Sequence, residues 1–219
     1  MTPTLYQTLL GAAFFRLPDS LRAMHSAGGH TRYVGRVSLT RGRGLLSRLC
    51  GRVAGLPKAM DDAPATVEID CGPNGEVWRR DFGGRPMQSR LWHHDGQLRE
   101  RLGGVQLHFL LHTHDGTIYW NVVGARLFGV LPMPVALFRR VRCEEREIEG
   151  IYRFQVEARM PLAGSVVRYS GWLRPEADIA PLAADMDDPD AAASAPGATP
   201  TRSSRPSSIM GGPFFRSAT

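Results

Sequence analysis

Between Pro64 and Arg174 the chain contains no helical run of useful length, and this limits its fold more than any other feature. Short segments alternate apolar with polar residues and are separated by turn signals at roughly 8 to 12 residue intervals, the spacing of an all-β domain. Strands are predicted over 65–71, 76–82, 86–93, 97–102, 105–113, 117–124, 140–148, 151–160 and 165–173. The turns between them carry residues suited to positive φ or tight reversal, among them Asn74-Gly75, Asp95-Gly96, Gly103-Gly104, Asp115-Gly116 and Glu149-Gly150. Such short connections force neighbouring strands to pair antiparallel.

Alternation also marks the dry face. Tyr152, Phe154, Val156, Ala158 and Met160 share one side of their strand, opposite Arg153, Gln155, Glu157 and Arg159. Val105, Leu107, Phe109 and Leu111 likewise oppose Gln106, His108 and His112. The apolar wall so formed must close on itself or be covered. The N-terminus supplies helical spacing at Leu5, Leu9, Leu10, Ala13 and Leu17, with a short turn at 21–24 after Pro18. An alternating segment around Tyr33, Val37 and Leu39 follows, then a second helix over 44–56 stopped by Pro57. The expected class is α+β, mainly β: a curved antiparallel meander or partly closed barrel of about nine to ten strands, covered by the two N-terminal helical segments. That domain is expected to span 1–174. Residues 175–219 hold seven of the sixteen prolines among Ala, Ser, Thr and Asp, and are expected to form a disordered tail.

Charge and cysteine usage exclude several classes. Up to Arg174 there are 24 basic and 15 acidic residues, and beyond it 3 and 6. The arginines of the body are scattered among acids, as in Arg79-Arg80-Asp81 and in Arg142 to Glu147, which is the pattern of a solvated surface; nucleic-acid binding is not expected. Three cysteines, Cys50, Cys71 and Cys143, form no CxxC pair and no even set, so a disulfide scaffold or thiolate zinc site is not expected. No run approaches the ~18 apolar residues of a spanning helix, and Met1-Thr2-Pro3-Thr4 lacks the positive region of a signal peptide. A cytoplasmic protein without a transmembrane segment is expected.

Few motifs invite chemistry. Gly42-Arg43-Gly44 with Asp61 and Asp62 is like a dinucleotide fingerprint, but hairpins follow where a βαβ crossover is needed. His108, His112 and His114 place imidazoles along one strand, the weak metal candidates of the chain. Glu145, Glu147 and Glu149 repeat at period two beside arginines and read as a charge-balanced exposed strand. The 44–56 helix gathers Leu45, Leu46, Leu49, Cys50, Val53 and Leu56 on one arc with Arg48 and Arg52 beside it, the shape of a basic interfacial helix and equally of a helix capping a sheet. The uncharged stretch 127–138 contains two prolines and must be buried, act as a lid, or meet a partner; Leu127, Phe128, Leu131, Met133, Leu137 and Phe138 are its candidate ligand-binding residues.

Several separated motifs form a familiar order: Leu5-Tyr6, Leu9-Leu10-Gly11, Leu17-Pro18, Leu21 and His25; Gly35, Val37 and Arg41-Gly42-Arg43-Gly44-Leu45-Leu46; Leu56-Pro57; Gly83-Gly84 and Ser89; Glu100-Arg101 and Gly103; Gly129-Val130-Leu131-Pro132-Met133-Pro134; Phe154; and Pro161-Leu162-Ala163-Gly164 leading to Val167-Arg168-Tyr169-Ser170-Gly171-Trp172-Leu173. Across 5–173 this resembles the bacterial family called domain of unknown function 4166 (DUF4166). The resemblance implies a stand-alone member of a family also found behind saccharopine-dehydrogenase-like reductases, and hence a reductase as a candidate partner. It assigns no catalytic residues and no cofactor. The leading functional expectation is a non-catalytic domain that binds a small apolar ligand or assists a reductase. The alternatives are a metal-dependent enzyme using the histidine face, and a membrane-surface or protein-interaction module.

Overall fold

The computed structural model describes residues 3–26 and 28–178. The expected tail lies outside the described residues from 179 on; the last strand runs to Pro175, and Glu176–Asp178 add a 3-10 turn.

Eleven antiparallel strands follow the meander that the turns dictate: β1 (His30–Arg41), β2 (Met60–Gly72), β3 (Gly75–Phe82), β4 (Pro86–His94), β5 (Gln97–Leu102), β6 (Val105–His114), β7 (Thr117–Leu127), β8 (Leu131–Met133), β9 (Arg140–Ile148), β10 (Ile151–Met160) and β11 (Gly164–Pro175). Their order is β6-β5-β4-β3-β2-β1-β11-β10-β9-β7, and β6 pairs with β7, so ten strands close completely into a barrel. The short β8 stays outside it, on the edge of β7. The seam joins the first strand to the last, with Tyr33 opposite Pro175 and Arg41 opposite Val167. At this seam the backbones come so close that only glycine fits at two positions. A Cβ on Gly35 would lie 1.9 Å from the Trp172 carbonyl oxygen, and one on Gly171 would lie 2.2 Å from that of Arg36.

Closure gives the barrel two unlike ends. One carries the hairpin tips Asn74-Gly75, Asp95-Gly96, Asp115-Gly116 and Glu149-Gly150. It is plugged by the N-terminal helices α1 (Leu5–Leu10) and α2 (Asp19–Ser26), which are joined through a 3-10 turn, Gly11–Arg16. Thr4 starts α1 with a capping box: its hydroxyl accepts the Gln7 N–H at 3.4 Å while Gln7 Oε1 accepts the Thr4 N–H at 2.9 Å. The same Thr4 hydroxyl donates to the His25 carbonyl at 2.9 Å, locking α1 to α2. Tyr6, Phe14, Leu21 and Met24 are thereby buried in the barrel core with Ile69, Phe82, Leu91, Leu98, Phe109 and Ile118.

The other end bears the 103–104 and 128–129 turns, the 161–163 turn and α3 (Leu45–Val53). α3 packs on the barrel edge, but not through its leucines. Ser47 and Gly51 are its buried residues, while Leu45, Leu46 and Leu49 are exposed. Arg41 explains the inversion. Its guanidinium lies where a Gly51 side chain would be and donates to the carbonyls of Leu56 and Pro57 at 2.9 and 2.8 Å; Ser47 Oγ donates to the Ser165 carbonyl at 2.8 Å. Polar ties on the small-residue face thus hold α3 to the barrel edge.

The uncharged 127–138 stretch is also resolved. β9 pairs with β7 only over Ile118–Asn121, and beyond this the two strands part. β8 and a 3-10 turn, Val135–Phe138, occupy the opening, with Phe138 buried and the turn packed on β7 and β10.

Candidate functional site

Parity along each strand decides what enters the barrel, and on β3 it brings in charge. Glu76, Trp78, Arg80 and Phe82 share the inward face of β3, and Ser89, Glu100, Cys143, Glu145, Tyr152 and Tyr169 meet them from β4, β5, β9, β10 and β11. All of these but Glu76 and Ser89 line a cavity of about 60 Å³, with Trp120, Glu144, Phe154 and Val156, room for a few water molecules or a small group. A wider depression of about 1080 Å³ lies outside, beside Thr4 and the 72–75 turn, but it is open to solvent. Arg80, Glu100 and Glu145 line the smaller space, while Glu76 borders the wider one.

Arg80 is the centre of the polar belt. Its guanidinium donates to Ser89 Oγ at 2.7 Å, stands 3.6 Å from the Glu100 carboxylate, and covers the Trp78 ring with its Cζ 4.9 Å from the centroid. Both charged side chains of this ion pair are about nine-tenths buried. Two carboxyls lie toward the plugged end. Glu76 accepts the Trp78 indole N–H at 2.8 Å; burial, helped by the Glu145 charge, holds its carboxyl above the usual range despite the opposing pull of Trp78 and His25. Glu145 Oε2 is 2.7 Å from His25 Nε2, a pair that joins the plug to the wall.

His25 itself is enclosed: it stacks on Tyr6 at 3.6 Å and packs near Trp78 and Tyr152. Burial raises the phenols of Tyr6, Tyr152 and Tyr169 and the thiol of Cys143, with Glu145 adding to each rise, so all four stay protonated at neutral pH. Trp120 Nε1, Tyr6 Oη and His25 Nδ1 are among the buried polar atoms that have no hydrogen-bond partner within the described chain. The arrangement can bind a small polar head among aromatic walls, with one cation and several proton donors aimed inward.

Two sequence expectations are corrected by this geometry. Glu145 lies inside the barrel, not on an exposed strand, and Arg80 belongs to the interior although it sits between Arg79 and Asp81. Glu147, two residues on, accepts the Ser20 N–H at 2.9 Å at the start of α2, and Glu149 forms a hairpin tip. The histidines of β6 do not converge. His108 packs under Gln106, with its ring nitrogen 3.0 Å from the amide; His112 stacks on Tyr119; His114 faces Asp115. Burial and the Arg99 and Arg126 charges lower His108 to about 4, so it is neutral at pH 7. Among the described residues no three potential ligands cluster for a metal ion.

The six apolar candidates of 127–138 lie at the α3 end. Phe138 is buried, Leu127, Met133 and Leu137 are half-buried, and Phe128 and Leu131 are exposed. None of them lines the 60 Å³ cavity. Sequence reasoning passed over His25, Glu76, Arg80 and Glu100. The signal available was parity: each of the last three is an ionisable residue at the apolar positions of its strand, beside Trp78 and Phe82 or between Leu98 and Leu102.

Fold and site together define a closed, helix-plugged antiparallel barrel with a charged aromatic interior. The chain belongs to the DUF4166 family, Domain of unknown function, whose model matches residues 17–173. That span includes α2 with His25, all of the interior charges and every barrel strand but the last two residues of β11. No curated protein matches the chain. Among the described residues no helix is long and apolar enough to cross a membrane.

Proposed function

We propose that the barrel is a non-catalytic binding module for a small molecule with an apolar body and one hydrogen-bond-accepting head. The observation that carries this is the unpartnered Trp120 indole N–H on a cavity wall that also carries Arg80, five more aromatic rings and the carboxyls of Glu100, Glu144 and Glu145. The head sits against Arg80 and Trp120, where charge-assisted and neutral donors meet in a dry enclosure. The apolar body extends toward Phe154, Val156 and Ala158, which are only half-buried as the interior runs to the α3 end. The route in lies where β7 and β9 part, so that Leu127, Phe128, Leu131, Met133, Leu137 and Phe138 act as the lid.

Native mass spectrometry of the full chain, before and after denaturation, tests the reading. A released small molecule is expected, lost in Arg80→Met and reduced in Leu131→Asp. A molecule retained by Arg80→Met, or only bare protein from cells, counts against it. The accessory role has its own assay, a pull-down with a saccharopine-dehydrogenase-like reductase.

A further inference from the structure

The α3 end of the barrel is built against the usual rules for a surface, and each departure points the same way. An amphipathic helix normally turns its apolar arc inward. α3 does the opposite, held by Arg41 and Ser47 with Leu45 83% and Leu49 56% exposed. Leu162, at the tip of the 161–163 turn, is 97% exposed and has φ +66°, and Phe128 is exposed with φ +53°. Left-handed backbone suits Gly, Asn or Asp, so a bulky apolar side chain there is retained at a cost to folding. The hairpin tips of the opposite end carry Asp95, Asp115 and Glu149 at positive φ instead.

Charge completes the pattern. Arg43, Arg48, Arg52, Lys58, Arg139 and Arg140 are exposed around the same rim. The acids of this end are fewer: Asp62 is paired with Arg36, Asp61 accepts from the Ser38 hydroxyl and Asp81 from the Gly84 N–H, and Glu157 stands between Arg142 and Arg168 of the flanking strands. Apolar residues ringed by unpaired cations match the interface of a bilayer whose headgroups are negative.

We propose that this end docks on an anionic lipid bilayer, with Leu45, Leu49, Phe128 and Leu162 entering the headgroup region and the surrounding arginines meeting phosphates. The half-buried interior positions Val141, Val156 and Ala158 then face the membrane, which places the barrel mouth where an apolar ligand would be taken up or delivered. Docking itself stands apart from the ligand reading: Arg80→Met removes interior binding and leaves docking intact.

The test is co-sedimentation of the full chain with phosphatidylcholine vesicles and with vesicles of phosphatidylcholine and phosphatidylglycerol. Binding to the anionic vesicles is expected to exceed that to the neutral ones by at least about tenfold and to weaken as salt is raised. Leu45→Asp with Leu49→Asp should cut it by at least about tenfold, since both side chains are already in solvent and the fold is spared. Leu162→Asn should raise the Tm while lowering vesicle affinity, the signature of a residue kept for binding. Phe15→Ser, an exposed aromatic at the plugged end, should change nothing. Equal binding to both vesicles, no binding, or binding indifferent to Leu45 and Leu49 overturns the proposal. So does a dimer that these substitutions dissolve in a chain that ignores vesicles, which would assign the rim to a second copy.

Discussion

The pair between His25 and Glu145 is the most exacting test of how the plug is held. Its side chains are 0% and 8% exposed, so little water is available to replace either partner. His25→Ala leaves the Glu145 carboxyl buried beside Tyr152 and Glu76 and also removes the ring stacked on Tyr6. Truncating one side of a buried pair costs about 3–5 kcal/mol, and an aromatic stack adds about 0.5–1.5. A loss of about 4 kcal/mol is expected. With a guanidinium m-value of about 4 kcal/mol/M for a domain of this size, the midpoint should fall by about 1 M. The cycle then discriminates cause. Glu145→Gln introduced into the His25→Ala background removes the stranded charge and should return about 1–2 kcal/mol, although the same change in the parent is destabilising. Trp78 and Trp120 flank the pair and supply the fluorescence signal. A midpoint drop below about 0.3 M for His25→Ala, or a further loss on adding Glu145→Gln, would refute the reasoning.

Two more predictions concern the wall. Glu76 has its carboxyl raised by burial, so the folded state binds more protons than the unfolded state above the ordinary carboxyl range. Its contribution is therefore fully present at acid pH and lost as pH rises through the folded pKa. Glu76→Gln, which still accepts from Trp78, should gain stability over the parent at pH 7, with the gain fading below about pH 4 in denaturant titrations; a constant difference across pH contradicts the assignment. Gly35→Ala should cost at least about 3 kcal/mol or prevent folding, because its Cβ meets a backbone oxygen that cannot yield without opening the seam. Gly28→Ala, which meets nothing within 4 Å, should leave the thermal midpoint within a few degrees of the parent.

The strands were legible because each is short, alternating and bounded by turn residues, and most observed boundaries fall within a few residues of the expected ones. β2 shows the limit. It begins at Met60, ahead of Pro64: the proline stands in the regular ladder opposite Arg36, and the strand extends past it through a register shift near Asp62. α3 shows another: periodicity reveals an apolar arc but not which arc is buried, and here a guanidinium from β1 had taken the space beneath Gly51. The site was hidden for a different reason. Arg80 and Glu100 face each other across β4, and His25 meets Glu145 from 120 residues away, so no local window contains either pair. The charges around Arg79, Asp81, Glu144 and Arg146 disguised as surface what one residue of parity turns inward.

The seam between β1 and β11 also sets the order in which this molecule can be made. β2 to β7 zip by successive hairpins, each closing a small loop, whereas β1 waits for a partner more than a hundred residues downstream. Until that last strand arrives, β1 presents a bare edge. A ribosome-bound chain must therefore carry this open flank through almost the whole of its synthesis, and any chaperone that assists it has β1 to protect as well as the growing edge.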